Sequence, residues 1–196
     1  MKKFPKKVEQ LIDVVNLTHE FREVFRVARN PINLKFENDT EHSYQLAMIA
    51  WFLIEQDKLK LNKELCFKYA LAHDLVEIYA GDTYAYDPIS VLSKKRREKE
   101  AMRKIEKRFS NFKSLINILK NYEKRIDKES KFIYALDKMM PPIQIYLENG
   151  KLWREKKITF NDLIEMKNEK IIESKYIDKY WQEFLKVISR EKKKLF

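Results

Sequence analysis

The sequence predicts an all-α fold, a compact multi-helix domain, on three observations. Apolar residues recur at helical spacing in every long segment, while strict alternation is scarce. Glycine, which the tight turns of all-β folds consume, occurs only twice, as Gly81 and Gly150. The 196 residues, 44% apolar and 36% charged, can enclose a core and exclude a disordered chain. The expectation is one domain over 1–196.

The elements follow in order. Residues 7–26 carry an apolar stripe of Leu11, Val14, Val15, Phe21, Val24 and Phe25. Asn30-Pro31 breaks it, because a residue before proline avoids helical backbone, and a loop runs to Asp39. Thr40 suits an N-cap, with His42 in the first turn behind it and Leu46, Ile49, Ala50 and Leu53 on the buried side. Asn62 is the next N-cap; its helix, 63–80, stops at Gly81, which suits a left-handed C-cap. A loop over 82–88 precedes a charged helix, 93–109. Helices are expected over 112–122 and 128–147, the latter interrupted near Pro141-Pro142. Gly150 punctuates the chain again, and 161–194 read as one or two closing helices.

Composition removes several functions. Two glycines cannot write GxGxxG or GxxxxGK[ST], so Rossmann and P-loop readings fall. One cysteine, Cys66, excludes a disulfide scaffold and a cysteine-rich zinc module. No run of about 18 apolar residues marks a membrane span. Met1-Lys2-Lys3-Phe4-Pro5-Lys6-Lys7 is basic with no apolar stretch behind it, so no signal peptide is read and a cytoplasmic protein is expected. Lys and Arg number 41 against 30 Asp and Glu, a net charge of +11 that favours anionic partners. Lys94-Lys95-Arg96-Arg97 reads as a solvated helix face, or as a lining for the entrance of an anionic substrate. Trp51, Phe52, Trp153 and Trp181 suit core or interface packing, Met139-Met140 a core position at the kink, and Cys66 a small buried hydrophobe. His19 receives no role.

His73-Asp74 is the informative pair. Glu77 lies four residues beyond His73, on the same side of a continuous helix. The preceding residues are largely apolar, so an imidazole and two carboxylates there need partners or a metal. Imidazole with carboxylate suits an ion of the Mn, Fe, Co, Ni or Zn group. His42 is a natural third ligand and Asp137, in an otherwise apolar helix, a natural fourth.

The order His…His-Asp…Asp resembles the HD-domain phosphohydrolase superfamily. Glu41-His42-Ser43-Tyr44-Gln45-Leu46-Ala47 is similar to the helix of that family's first histidine. Ala72-His73-Asp74-Leu75-Val76-Glu77-Ile78-Tyr79-Ala80-Gly81-Asp82 is similar to its HD helix with the trailing Gly-Asp, and Tyr134-Ala135-Leu136-Asp137-Lys138 to the helix of its last aspartate. Together they resemble the 5′-deoxynucleotidase-like branch. The resemblance is strongest over 10–150, leaving 151–196 as closing helices.

The resemblance implies that His42, His73, Asp74 and Asp137 hold one divalent metal ion (Mn, Co, Mg, Fe, Ni or Zn). It implies Glu77 as general acid/base, Asp82 facing the sugar, and an arginine on the phosphate, Arg26 in preference to Arg29. The branch often has a tryptophan after this arginine; here Asn30-Pro31-Ile32 fills the region, so sugar or base recognition differs. No histidine separates Asp74 from Asp137, which argues against a dinuclear site. Ile78 after Glu77 argues against the stringent-response hydrolases, which carry an acidic pair there. The expected activity is hydrolysis of nucleoside 5′-monophosphates, with a leaning to the 2′-deoxy sugar. The alternatives are another HD phosphohydrolase, acting on (p)ppGpp or nucleoside triphosphates, and a weakly catalytic basic module binding nucleic acid. The aromatic content allows a homodimer.

Overall fold

The structure, a computed structural model, describes residues 4–83 and 88–196, with the side chains of 88–91 outside the description. Met1, Lys2 and Lys3 of the basic N-terminus and 84–87 of the expected loop lie outside the described residues.

The first helix, α1 (Lys6–Arg22), ends four residues short of the expected Arg26. Val24-Phe25-Arg26-Val27 is a β-branched and aromatic run, which favours extended backbone once helical packing ends. It enters a two-stranded antiparallel hairpin of β1 (Phe25–Arg29) and β2 (Phe36–Asn38), missed in the sequence, with Phe25 opposite Asn38 and Arg29 opposite Phe36. Arg26 therefore stands on a strand.

Helix α2 (Asp39–Gln56) is capped by Asn38, not by Thr40. The Glu41 amide donates to Asn38 Oδ1 (3.0 Å) and the Asn38 amide donates back to Glu41 Oε2 (3.3 Å), a reciprocal box. Asn62 caps α3 (Lys63–Ala72) as expected, accepting from the Leu65 amide at 3.1 Å.

The expected helix to Ala80 is broken. After the His73 amide bonds the Tyr69 carbonyl, the ladder tightens to i+3 bonds at Leu75, Glu77 and Tyr79. The short α4 (Glu77–Ala80) follows and stops at Gly81, whose φ of +73° suits glycine. The tightened turn advances about 120° per residue instead of 100° and so re-aims His73 and Asp74.

Helices α5 (Pro88–Arg108) and α6 (Lys113–Lys124) lead to α7 (Lys128–Leu147), which begins at an Asp127–Ser130 capping box. Helix α7 runs unbroken through Pro141 and Pro142, against expectation. Packing holds it: α7 touches α2, α3, α6, β1 and the later helices, and Phe132, Ile133, Leu136 and Met140 are buried. The tail forms α8 (Lys151–Glu155), α9 (Phe160–Ile171), α10 (Lys175–Arg190) and α11 (Lys192–Leu195), one closing helix more than expected after 160. Trp153, Trp181 and Cys66 are core, whereas Trp51 and Phe52 are 48% and 61% exposed and are not. His19 is exposed. Among the described residues no helix is long and apolar enough to cross a membrane.

Candidate active site

Four side chains from three parts of the chain converge on one point. His42 comes from the first turn of α2, His73 and Asp74 from the turn between α3 and α4, and Asp137 from the middle of α7. Each offers one ligand atom, and these atoms lie within 4.8 Å of one another. His42 Nε2 is 3.0 Å from Asp137 Oδ1; His73 Nε2 is 3.0 Å from Asp74 Oδ2 and 3.8 Å from Asp137 Oδ1.

The hydrogen bonds test whether a metal fits. His73 Nδ1 lies 3.0 Å from the Ala70 carbonyl, which can only accept, so Nδ1 carries a proton. That leaves Nε2 buried, without a hydrogen-bond partner, and pointed at carboxylate oxygens. A lone pair facing carboxylates needs a cation between them, a proton or a metal ion. Burial pulls the His73 pKa down, and Asp74 and Asp137 overcome it and push it up to about 9. The site therefore collects positive charge. Its donor set, two imidazoles and two carboxylates, suits a first-row divalent ion. His42 repeats the pattern: its Nδ1 is buried, unbonded and 3.6 Å from Glu37 Oε2. Such outer carboxylates and carbonyls orient ligating histidines.

A second ring of charge surrounds the four. Arg26 Nη1 reaches Asp74 at 2.7 Å and Asp39 at 3.1 Å, whereas Arg29 turns away to Glu155 at 2.8 Å. Of the two arginines, only Arg26 joins the cluster. Glu77 is brought in as well: Asp39, Asp74 and Glu77 form another group with atoms within 4.8 Å. The helix break removes the shared-face argument for Glu77, yet the tight turn delivers it to the same place. Burial, then Asp74 and Asp39, hold the Glu77 pKa well above the carboxylate range. Burial and Asp74 push Asp39 up to about 7. Asp82 is half-buried on the wall of the cavity over the cluster.

That cavity is about 870 Å³ and opens onto His73, Asp74, Glu77 and Asp137. Lys94 and Lys95 line it, whereas Arg97 bonds the Ala80 carbonyl and Thr83. The sequence reading missed Glu37, Asp39, Lys138 and Lys167. Asp39 sits inside the Asn38-x-x-Glu41 capping signature, which was there to be read. Nothing in the sequence marks Lys167.

Comparison with known proteins gives the family. Residues 18–181 match the family described as HD domain. A zebrafish (Danio rerio) protein named 5′-deoxynucleotidase HDDC2 is 32% identical over 142 residues, covering 71% of this chain and 70% of that protein. The human protein of that name is 34% identical over 116 residues, 58% of this chain; the match spans about half, 53%, of its length. A crystal structure described as a predicted metal-dependent phosphohydrolase, from Magnetospirillum magnetotacticum MS-1, superposes with a TM-score of 0.82 at 25% identity, covering 97% of each chain.

Proposed function

This chain belongs to the HD-domain family, and on that premise we propose that it is a metal-dependent phosphohydrolase that releases phosphate from nucleoside 5′-monophosphates, with a preference for the 2′-deoxy sugar. The observation that carries the reading is the buried, unbonded Nε2 of His73 facing Asp74 and Asp137. The relatives' names support the substrate class.

His42, His73, Asp74 and Asp137 hold the ion in this reading. A divalent ion there supplies charge against the phosphate and lowers the pKa of water. The protein's own groups do the rest. The Ala70 carbonyl fixes His73 with Nε2 inward. Arg26, held edge-on by Asp74 and Asp39, presents its guanidinium to phosphate oxygens. As a water oxygen bonds phosphorus and the bond to the 5′-oxygen breaks, Glu77, buried and acid-weakened, gives its proton to that departing oxygen of the nucleoside. Asp82, on the cavity wall, accepts from a sugar hydroxyl.

The test is phosphate release from ribo- and deoxyribonucleoside mono-, di- and triphosphates and ppGpp, with Mn²⁺, Co²⁺, Mg²⁺ or chelator. The expected result is metal-dependent release from monophosphates. Glu77→Gln should lower kcat by about 10²–10⁴-fold with metal content unchanged, and His73→Ala should lose both metal and turnover. Normal turnover and metal content in His73→Ala would sink the assignment.

A further inference from the structure

Lys167 is a charged group of the cavity that the chemistry above leaves unused. It comes from α9 in the tail and is 7% exposed. It lines the cavity, yet makes no hydrogen bond or ion pair with any described residue. A largely desolvated ammonium with no carboxylate partner among the described residues is costly, and an anion entering the cavity would answer it.

Its surroundings sharpen this. Lys138 Nζ is 2.5 Å from Asp137 Oδ2, on the floor of the site. Lys138, Asp137 and Lys170 are the charged neighbours that act most strongly on Lys167. Lys170, whose polar contact is Met166 Sδ at 3.7 Å, feels Lys138 and then Lys94 across the cavity on α5. Lys94 pairs with Glu98 at 3.4 Å, and Glu169 is the acidic neighbour of Lys170. Four lysines from three helices thus run from a candidate metal ligand outward to the rim. Burial, then Lys138, bring the Lys167 pKa down to about 7, which shows how little local negative charge answers it.

A monoester's charge is already met by the ion and Arg26, and Lys138 is engaged by Asp137. Lys167 and Lys170 are left over. The cavity, at about 870 Å³, lies toward the roomy end of small-molecule sites, which run from about 300 to 1,000 Å³. We propose that Lys167 and Lys170 form a second anion subsite that takes a phosphate other than the scissile one, so that nucleotides carrying two phosphates are favoured over monophosphates. The inference rests on the phosphohydrolase reading of the same site.

The experiment is calorimetric binding to the Mn²⁺-loaded Glu77→Gln protein, which holds ligand without turnover. The ligands are deoxyadenosine 5′-monophosphate, its 3′,5′-bisphosphate and the 5′-diphosphate. At least one doubly phosphorylated ligand should bind about 10-fold tighter than the monophosphate, the yield of one or two charge-assisted hydrogen bonds. Adding Lys167→Met or Lys170→Met should bring that ratio to about one. Methionine matches the stem and removes a buried charge, and thermal melting no lower than the parent's confirms folding. A parental ratio near one overturns the proposal. So does a ratio that survives both substitutions, or an equal loss for all three ligands, which would put Lys167 on the scissile phosphate. Failure of the nucleotidase reading looks different: wild type then releases no phosphate from monophosphates, whatever the binding ratios show.

Discussion

Lys167 makes a demand on the free protein as well as an offer to a ligand. An unfolded lysine titrates near 10.4, whereas the folded one is brought down to about 7 by burial and Lys138. Between those values the unfolded chain holds a proton that the folded chain has released, so unfolding free energy rises with pH across the interval. Below about 7 both states are protonated and the penalty is fully present. Lys167→Met should therefore be the more stable protein at pH 6, by on the order of a few kcal/mol, and the margin should shrink by pH 9. Urea unfolding at both values reads it; a margin independent of pH would discard the account. The same residue shows where sequence reading stops. His42, His73, Asp74 and Asp137 could be picked out because their types suit a metal and their order resembles a family. Lys167 is one lysine among many, and only the packing of α9 on α7 makes it unusual.

At the level of elements, periodicity sufficed for most helices, because an apolar stripe is a local property. Three misreadings share another cause. The end of α1 at Arg22, the break after Ala72 and the continuity of α7 across Pro141-Pro142 are not marked by the apolar period, and for α7 it is packing by neighbours distant in sequence that decides. The hairpin was missed because five and three residues give too short a pattern to detect. The Asn38 cap was readable and was misplaced by two residues. Gly150 offers a test of element docking. Its φ is +74°, and a Cβ there would stand 2.1 Å from the Leu195 carbonyl oxygen at the end of α11. Phe196, the next residue, stacks on Trp153 at 4.6 Å between centroids. Gly150→Ala must both strain the backbone and push α11 off α8. A loss of more than about 1 kcal/mol is expected, with raised hydrogen exchange in α11; an unchanged melting temperature would show that the contact is dispensable.

Over the whole molecule, charge is unevenly placed. The net charge is +11, yet the floor of the cavity is acidic, with Asp74, Glu77 and Asp137 on it and Asp39 buried behind. The excess lies outward, on walls such as Lys94, Lys95 and Lys124. An anionic nucleotide is thus drawn in by the rim and meets a cluster of carboxylates where a cation is expected. Raising ionic strength from about 0.01 M to 1 M shortens the screening length from about 30 Å to 3 Å. We expect kcat/KM to fall roughly 10-fold over that range, mostly through KM; a flat profile would deny the rim a steering role. The distribution of the ligands has a mechanical side too. His42 and Asp137 are 95 residues apart, in a chain whose single cysteine permits no internal disulfide. An ion gripped by both would close that span as a cross-link does, and ring closure of this length is worth about 4.7 kcal/mol of chain entropy. The reagent of catalysis would then also be the staple of the fold.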